Sequence, residues 1–199
     1  MSFDVQPVLL EGQYLRLEPL GQEHAHGLFN RGTHAEDWAF MPRPCFVDLA
    51  DCRHWIDEAN ATAGHVAFAM VEKKQGRAVG SSRYMAIREE HRGLEIGWTW
   101  IGRDWQGTVI NVEAKLLMLQ HAFESLGAIR VELKTDARNE RSQRAIKGIG
   151  AQYEGTFRNH MIVQQGHLRD SAYFSVTDTD WPSVRDGLLA RRERQGAEL

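Results

Sequence analysis

A chain of 199 residues that is 42% hydrophobic can bury a full core and fits one domain with some decoration. Its net charge of −3 gives no reason to expect a polyanionic partner, so direct binding of nucleic acid is not expected. No apolar run approaches membrane-spanning length, and the N-terminus (MSFDVQPV) has neither the basic start nor the apolar core of a signal peptide, which predicts a cytoplasmic protein with no membrane partner. The two cysteines, Cys45 and Cys52, lack metal-ligand or redox spacing, and the nine histidines are scattered, so no metal site is expected.

In chain order, Tyr14 to Glu18 alternates and is closed by Pro19, which predicts a first strand. A helix follows over Glu23 to Asn30. The stretch Thr33 to Pro44 is rich in aromatics and prolines and reads as an irregular loop. Asp48 is a suitable N-cap for a second helix running to about Asn60, with Leu49, Cys52, Trp55 and Ile56 on one side. Val66–Val71 and Ala78–Tyr84 form an antiparallel hairpin through the turn at Lys74-Gln75-Gly76.

The most informative stretch runs from Leu94 to Gly127. Leu94, Ile96, Trp98 and Trp100 fall on one strand face, with Glu95, Gly97, Thr99 and Ile101 on the other. After Gly107-Thr108 the period changes. Val109, Val112, Leu116, Leu119, Phe123 and Leu126 recur at three- and four-residue steps, the stripe of an amphipathic helix that Gly127 terminates. The first turn of such a helix leaves amides without partners, and a small-residue loop in front of it lets a diphosphate approach them. Arg130–Asp136 then alternates as a strand whose second face is wet or paired. Asn139 caps another helix with Ala145, Ile146 and Ile149 as its stripe, closed by Gly148 and Gly150. Gln152–Val163 and His167–Val176 read as a closing antiparallel pair, and a terminal helix or tail begins near Trp181. The basic run Arg191-Arg192-Glu193-Arg194 reads as a solvated helix end. No linker divides the chain, so one mixed α/β sheet within a single domain 1–199 is the expectation, with a core at about 14–181 and a helix or tail over 182–199.

The motifs N-x-E-A-K (Asn111 to Lys115), H-A-F-E-x-L-G (His121 to Gly127), T-D-x-R-N-x-R-S (Thr135 to Ser142) and G-A-x-x-E-G (Gly150 to Gly155) occur in this order. Together they resemble the core of the GCN5-related N-acetyltransferases, in the branch similar to RimJ and RimL, over nearly the whole chain. The resemblance implies a mostly antiparallel sheet splayed at its centre, acetyl-coenzyme A as donor, and a primary amine as acceptor, either a small molecule or a protein N-terminus. It requires no metal and leaves a homodimer open. The family's diphosphate loop reads Arg/Gln-x-x-Gly-x-Gly/Ala. The stretch from Gln106 departs from it, with Val109 and Asn111 in the two small-residue positions. A valine is poorly tolerated at positive φ, so residue 109 is expected to be helical already, with Thr108 as N-cap and the diphosphate on amides from Gln106 and Gly107 to Ile110 and Asn111. Gly102 to Thr108 read as a nucleotide P-loop lacks the phosphate-binding lysine, and the family pattern explains the stretch better.

The resemblance further implies roles for particular residues. Asn139 would hydrogen-bond the pantetheine arm while capping its helix, and Ser142 would face the departing thiolate. Glu95 would draw a proton from the acceptor amine, its alternative being a solvent-facing charge. The amide of Trp100 or Ile101 would take the acetyl oxygen as it becomes an oxyanion. Trp38, Phe40 and Met41 would line an acceptor pocket that Arg158 and His160 complete, the alternative for this aromatic loop being a lid on the core. Two classes of function remain: an acetyltransferase acting by direct attack in a ternary complex, or a coenzyme A-binding sensor or structural relative without turnover. Retention of Glu95, Asn139 and Ser142 favours the first.

Overall fold

The computed structural model describes residues 3–197, so the first two positions of the N-terminal segment and the last two of the expected tail lie outside the described residues. Eight strands form one sheet: β1 (Leu10–Glu11), β2 (Leu15–Pro19), β3 (Val66–Glu72), β4 (Arg77–Arg88), β5 (Gly93–Ile101), β6 (Arg130–Asp136), β7 (Gln152–Ile162) and β8 (Leu168–Thr177). Their spatial order is β1-β2-β3-β4-β5-β6-β8-β7. Every neighbouring pair is antiparallel except β5 and β6. Five α-helices cover the sheet: α1 (Ala25–Phe29), α2 (Leu49–Ala61), α3 (Val109–Gln120), α4 (Glu140–Gly148) and α5 (Trp181–Gly196). The mixed α/β, mostly antiparallel architecture is the one expected.

β3 shows why both faces are covered. Its sequence VAFAMVE is buried at every position. Val66, Phe68 and Met70 face a larger core built with α3 and α5, while Ala67, Ala69 and Val71 face a smaller, aromatic-rich core built with α1 and α2. The large side chains fill one space, and the alanines let the helices of the other face lie close.

Several details differ from the sequence reading. β1 is a two-residue strand that carries no periodic signal. The first predicted helix opens as a 3₁₀ turn at Gln22–His24 before α1, and the loop at Thr33–Pro44 contains another at Ala35–Trp38. α3 widens into a π turn over His121–Ser125 before Gly127, at φ +70°, ends it. The expected two-residue alternation of β5 fails at Trp98, which has φ +52°. There the register with β4 jumps from Arg83–Gly97 to Ser81–Trp100, a β-bulge. Leu94 and Ile96 therefore point into the larger core, but beyond the bulge it is Ile101 that joins them, and Trp100 turns into the aromatic core.

The parallel pairing of β5 with β6 stops early. It covers Gly93–Arg130, Leu94–Val131 and Glu95–Glu132, after which β6 keeps its full partnership with β8 and leaves β5. The expected splay is present, and the bulge lies on the strand that bends away.

Candidate active site

The splay opens a cavity of about 530 Å³ that runs from the start of α3, between β5 and β6, to the loop after α1. Its α3 end is built as the helix-start argument requires. Gly107 sits at φ +77°, a conformation glycine adopts without strain, and open space lies where its side chain would be. Thr108 is the N-cap: its Oγ1 accepts from Ile110 N at 3.3 Å and donates to the Trp105 carbonyl at 2.8 Å. Val109 begins the helix and is fully buried, so the side chain that departs from the family pattern is absorbed by the core. Among the described residues, no hydrogen bond engages the amides of Gly107, Val109 and Asn111. Gln106 braces the loop, donating to the Ile101 carbonyl at 2.9 Å and accepting from Arg141 at 2.5 Å.

Two arginines that sequence reasoning did not place here line the same end, Arg141 from α4 and Arg191 from α5. The C-terminal basic run is therefore more than a solvated helix end: Arg191 reaches the cavity, and Arg192 approaches the buried Glu113 at 3.8 Å. An amphipathic terminal helix reads alike whether its cations face water or a cleft, so periodicity carried no signal for this.

In the middle of the slot, Asn139 caps α4 by accepting from Ser142 N at 3.0 Å, and both residues line the cavity. The Ser142 hydroxyl makes no hydrogen bond among the described residues. On the opposite wall, the Ile101 carbonyl is directed to Gln106, whereas the Trp100 carbonyl is turned to β4, where a Cβ on Gly80 would meet it at 2.4 Å. Because a strand residue presents its N–H and C=O on the same edge, Ile101 is the one of the two with its backbone facing the slot.

Glu95 is 2% exposed, so the solvent-facing alternative does not hold. Its Oε2 accepts from Lys134 Nζ at 2.6 Å, and Oε1 has no donor among the described residues. A Cβ on Gly97 would stand 2.9 Å from Oε1, which makes glycine the residue that leaves this oxygen room. Lys115, one helical turn beyond Asn111, also lines the slot and is 7% exposed. Its ammonium donates to Thr99 Oγ1 at 2.7 Å, and among the described residues no carboxylate pairs with it. Burial pushes its pKa down to about 7. The motif containing Lys115 was visible in the sequence; that the lysine points inward was not.

At the far end the predicted acceptor residues separate. Phe40 and Met41 line the slot, with Arg138 over the Phe40 ring at 5.6 Å. Trp38 does not line it. At 1% exposure it packs against Phe46 and Trp100 with ring centroids 4.9 and 5.1 Å away, so it is a core residue beneath the loop. Arg158 and His160 also lie elsewhere, in a shallow surface concavity with Phe157, Asn159 and Asp170. The His160 ring meets Ser171 Oγ at 3.0 Å and the Tyr173 hydroxyl at 3.2 Å, and burial lowers its pKa, with Lys134 and Arg169 adding to the shift. The strand neighbours Met161 and Arg169 reach the slot instead. The bulge in the β7–β8 pairing between Phe157 and Met161, with Asn159 at φ +49°, separates the two groups.

Comparison with known proteins bears on what this slot is. Residues 14–152 match the family model described as an acetyltransferase (GNAT) domain. The Bacillus subtilis protein YdaF, provisionally named a ribosomal N-acetyltransferase, is 32% identical over 95 residues, 48% of this chain and 51% of that protein. The chain spans about half the length of the curated relatives it matches. Among solved structures, a GCN5-related N-acetyltransferase from Brucella melitensis superposes with a TM-score of 0.89 at 31% identity, covering 94% of this chain and 86% of that one. A spermidine N-acetyltransferase from Vibrio cholerae, crystallised with CoA and spermine, shares the fold at a TM-score of 0.70 and 14% identity, over 86% of this chain and 99% of that one. The family model covers the splayed strands, the α3 start and α4, and the chain accordingly belongs to the acetyltransferase (GNAT) family.

Proposed function

We propose that the chain transfers the acetyl group of acetyl-coenzyme A to a primary amine by direct attack within a ternary complex, the whole chain serving as one catalytic domain. The observation that carries this reading is the slot itself, which joins helix-start amides unpartnered among the described residues to a buried carboxylate. The donor fits the residues present. The amides of Gly107, Val109 and Asn111 offer donors to a diphosphate, Arg141 and Arg191 add charge at the same end, and Asn139 offers its amide to the pantetheine arm.

The amine enters from the Phe40–Met41 side. It must be neutral to attack, and the free Oε1 of Glu95 takes its proton directly or through water. The nitrogen bonds to the carbonyl carbon, and the oxygen that gains charge is held by the Ile101 amide. The C–S bond then breaks, and the Ser142 hydroxyl stabilises or protonates the leaving thiolate. Lys134 fixes the position of Glu95 and balances its charge until the proton arrives. A non-catalytic coenzyme A sensor needs the amides but has no use for a free carboxylate oxygen opposite an unengaged hydroxyl, which favours the transferase.

The reading is tested by thiol release from acetyl-coenzyme A over a panel of amines. Glu95→Gln should lower kcat/KM about a hundredfold at neutral pH and recover at high pH as free amine becomes abundant, whereas Ser142→Ala should lower kcat at every pH with donor affinity unchanged. Gly107→Pro, which removes a donor and cannot adopt φ +77°, should abolish donor binding in calorimetry. Tight donor binding without thiol release across the panel would leave the sensor reading standing.

A further inference from the structure

On the slot-facing side of β6 and β8, acids and bases are matched almost completely. Glu95 pairs with Lys134, Glu132 with Arg88 and Arg130, Asp136 with Arg138, and Glu154 with Arg130. Among the described residues of these two strands, one cation is left over. Arg169 of β8 is 6% exposed and lines the cavity, yet among the described residues its guanidinium makes no hydrogen bond and no ion pair, and its Nε is buried without a partner. Burial lowers its pKa, and the nearby charges of Asp136 and Glu95 only partly offset this. Asp136 pairs with Arg138 and Glu95 with Lys134 through Oε2, and neither makes an ion pair with Arg169. Tyr173 on the same face offers no anion, because burial beside Glu95 and Glu132 pushes its pKa up to about 12.

A buried guanidinium with no directly paired counter-charge is an expensive thing to leave in a cavity wall unless something that enters the cavity supplies the anion. The planar fork suits an oxygen pair, two parallel N–H donors to two oxygens. We infer that the acceptor carries, besides its amine, an anionic oxygen group, in the simplest case a carboxylate, which Arg169 receives. The inference rests on the transferase reading for the word acceptor and deepens it from any primary amine to an amino acid-like amine. Free amino acids and peptides with an acidic residue at their N-terminus share this chemistry, and the experiment separates them.

The wild-type protein is assayed for thiol release with matched pairs of acceptors: amino acids and their amides, and short peptides with N-terminal Asp or Asn. A preference of about 30- to 100-fold in kcat/KM for the charged member is expected, the value of a charge-assisted hydrogen bond. If free amino acids show it, the acceptor is a small molecule; if only the peptides do, it is a polypeptide end. Arg169→Met, which buries a side chain of similar length, should erase the preference while leaving donor affinity unchanged. The N-acetylated forms of the same pairs are titrated calorimetrically into the protein–coenzyme A complex, a readout that needs neither turnover nor the variant. Tighter binding of the charged product supports the inference; equal binding, or equal turnover of both members of each pair, overturns it. Loss of thiol release with every amine, alongside selective binding of the charged product, would overturn the transferase reading and leave the anion site in place.

Discussion

Glu113 and Lys115 stand two residues apart on α3 and are both buried, yet their surroundings are opposite. Glu113, fully buried, points to the N-terminal segment, where its carboxylate accepts from the amides of Gln13, Tyr14 and Leu15 at 2.8, 2.7 and 2.9 Å and lies 3.8 Å from Arg192. Lys115 points into the slot and has one neutral partner, Thr99. The first charge is satisfied by the fold, closing a long loop onto the helix that begins the donor site. The second is a standing cost. A completely paired buried charge belongs to the scaffold, and an incompletely paired one facing a cavity marks the place where the fold has been bent to a use.

The sharpest way to break this comparison is Glu113→Ala. It orphans three buried amides at once, and we expect a loss of about 4 kcal/mol, read as a fall of about 8 to 16 °C in Tm. A fall of only a degree or two would mean that water replaces the carboxylate and that it is no scaffold element. Lys115→Met should act in the other direction. A lysine whose folded pKa is about 7 destabilises the fold wherever the unfolded chain holds its proton and the folded chain does not welcome it. The penalty is complete below pH 7, shrinks as pH rises from 7, and vanishes near the ordinary lysine value of 10.5. The variant should therefore gain on the order of 2 kcal/mol at pH 7 and close to nothing at pH 10, measured by denaturant unfolding at both. A pH-independent difference would place the effect in packing alone. Glu113→Gln, which keeps an acceptor oxygen but brings an NH₂ to face an amide, should lie between, costing about 1 to 2 kcal/mol.

Much of this was readable from the residues. Asp48, Thr108 and Asn139 were legible as N-caps because a side-chain oxygen before an apolar stripe has one obvious use, and each accepts the expected amide. The splay and the helix-start site followed from the strand–glycine–helix order and the motifs. What was not legible depends on partners distant in sequence. Alternation places Glu132 and Lys134 on one face but cannot say that Arg88 and Glu95 wait there. Alternation puts Trp98 on a regular face because nothing in its side chain announces a positive φ; the bulge shows only in the register with β4. The aromatic loop splits for a related reason: an aromatic in a loop reads the same whether it lines a pocket or seals the core below it, and Trp38 does the second while Phe40 and Met41 do the first.

The Gln164 amide, on the turn between β7 and β8, donates to the carbonyls of Trp38, Met41 and Arg43 at 2.9, 2.8 and 2.7 Å. The amine-side lip of the slot is thus an early piece of chain held by a late one, across 121 to 126 residues. Such a contact returns its stabilisation only after a long closure has been made, so the lip is the last part of the cleft to take shape. As the polypeptide emerges during synthesis, the helix-start amides are set by neighbours along α3, whereas the acceptor lip waits for the final hairpin and the Arg191 charge for α5 behind it.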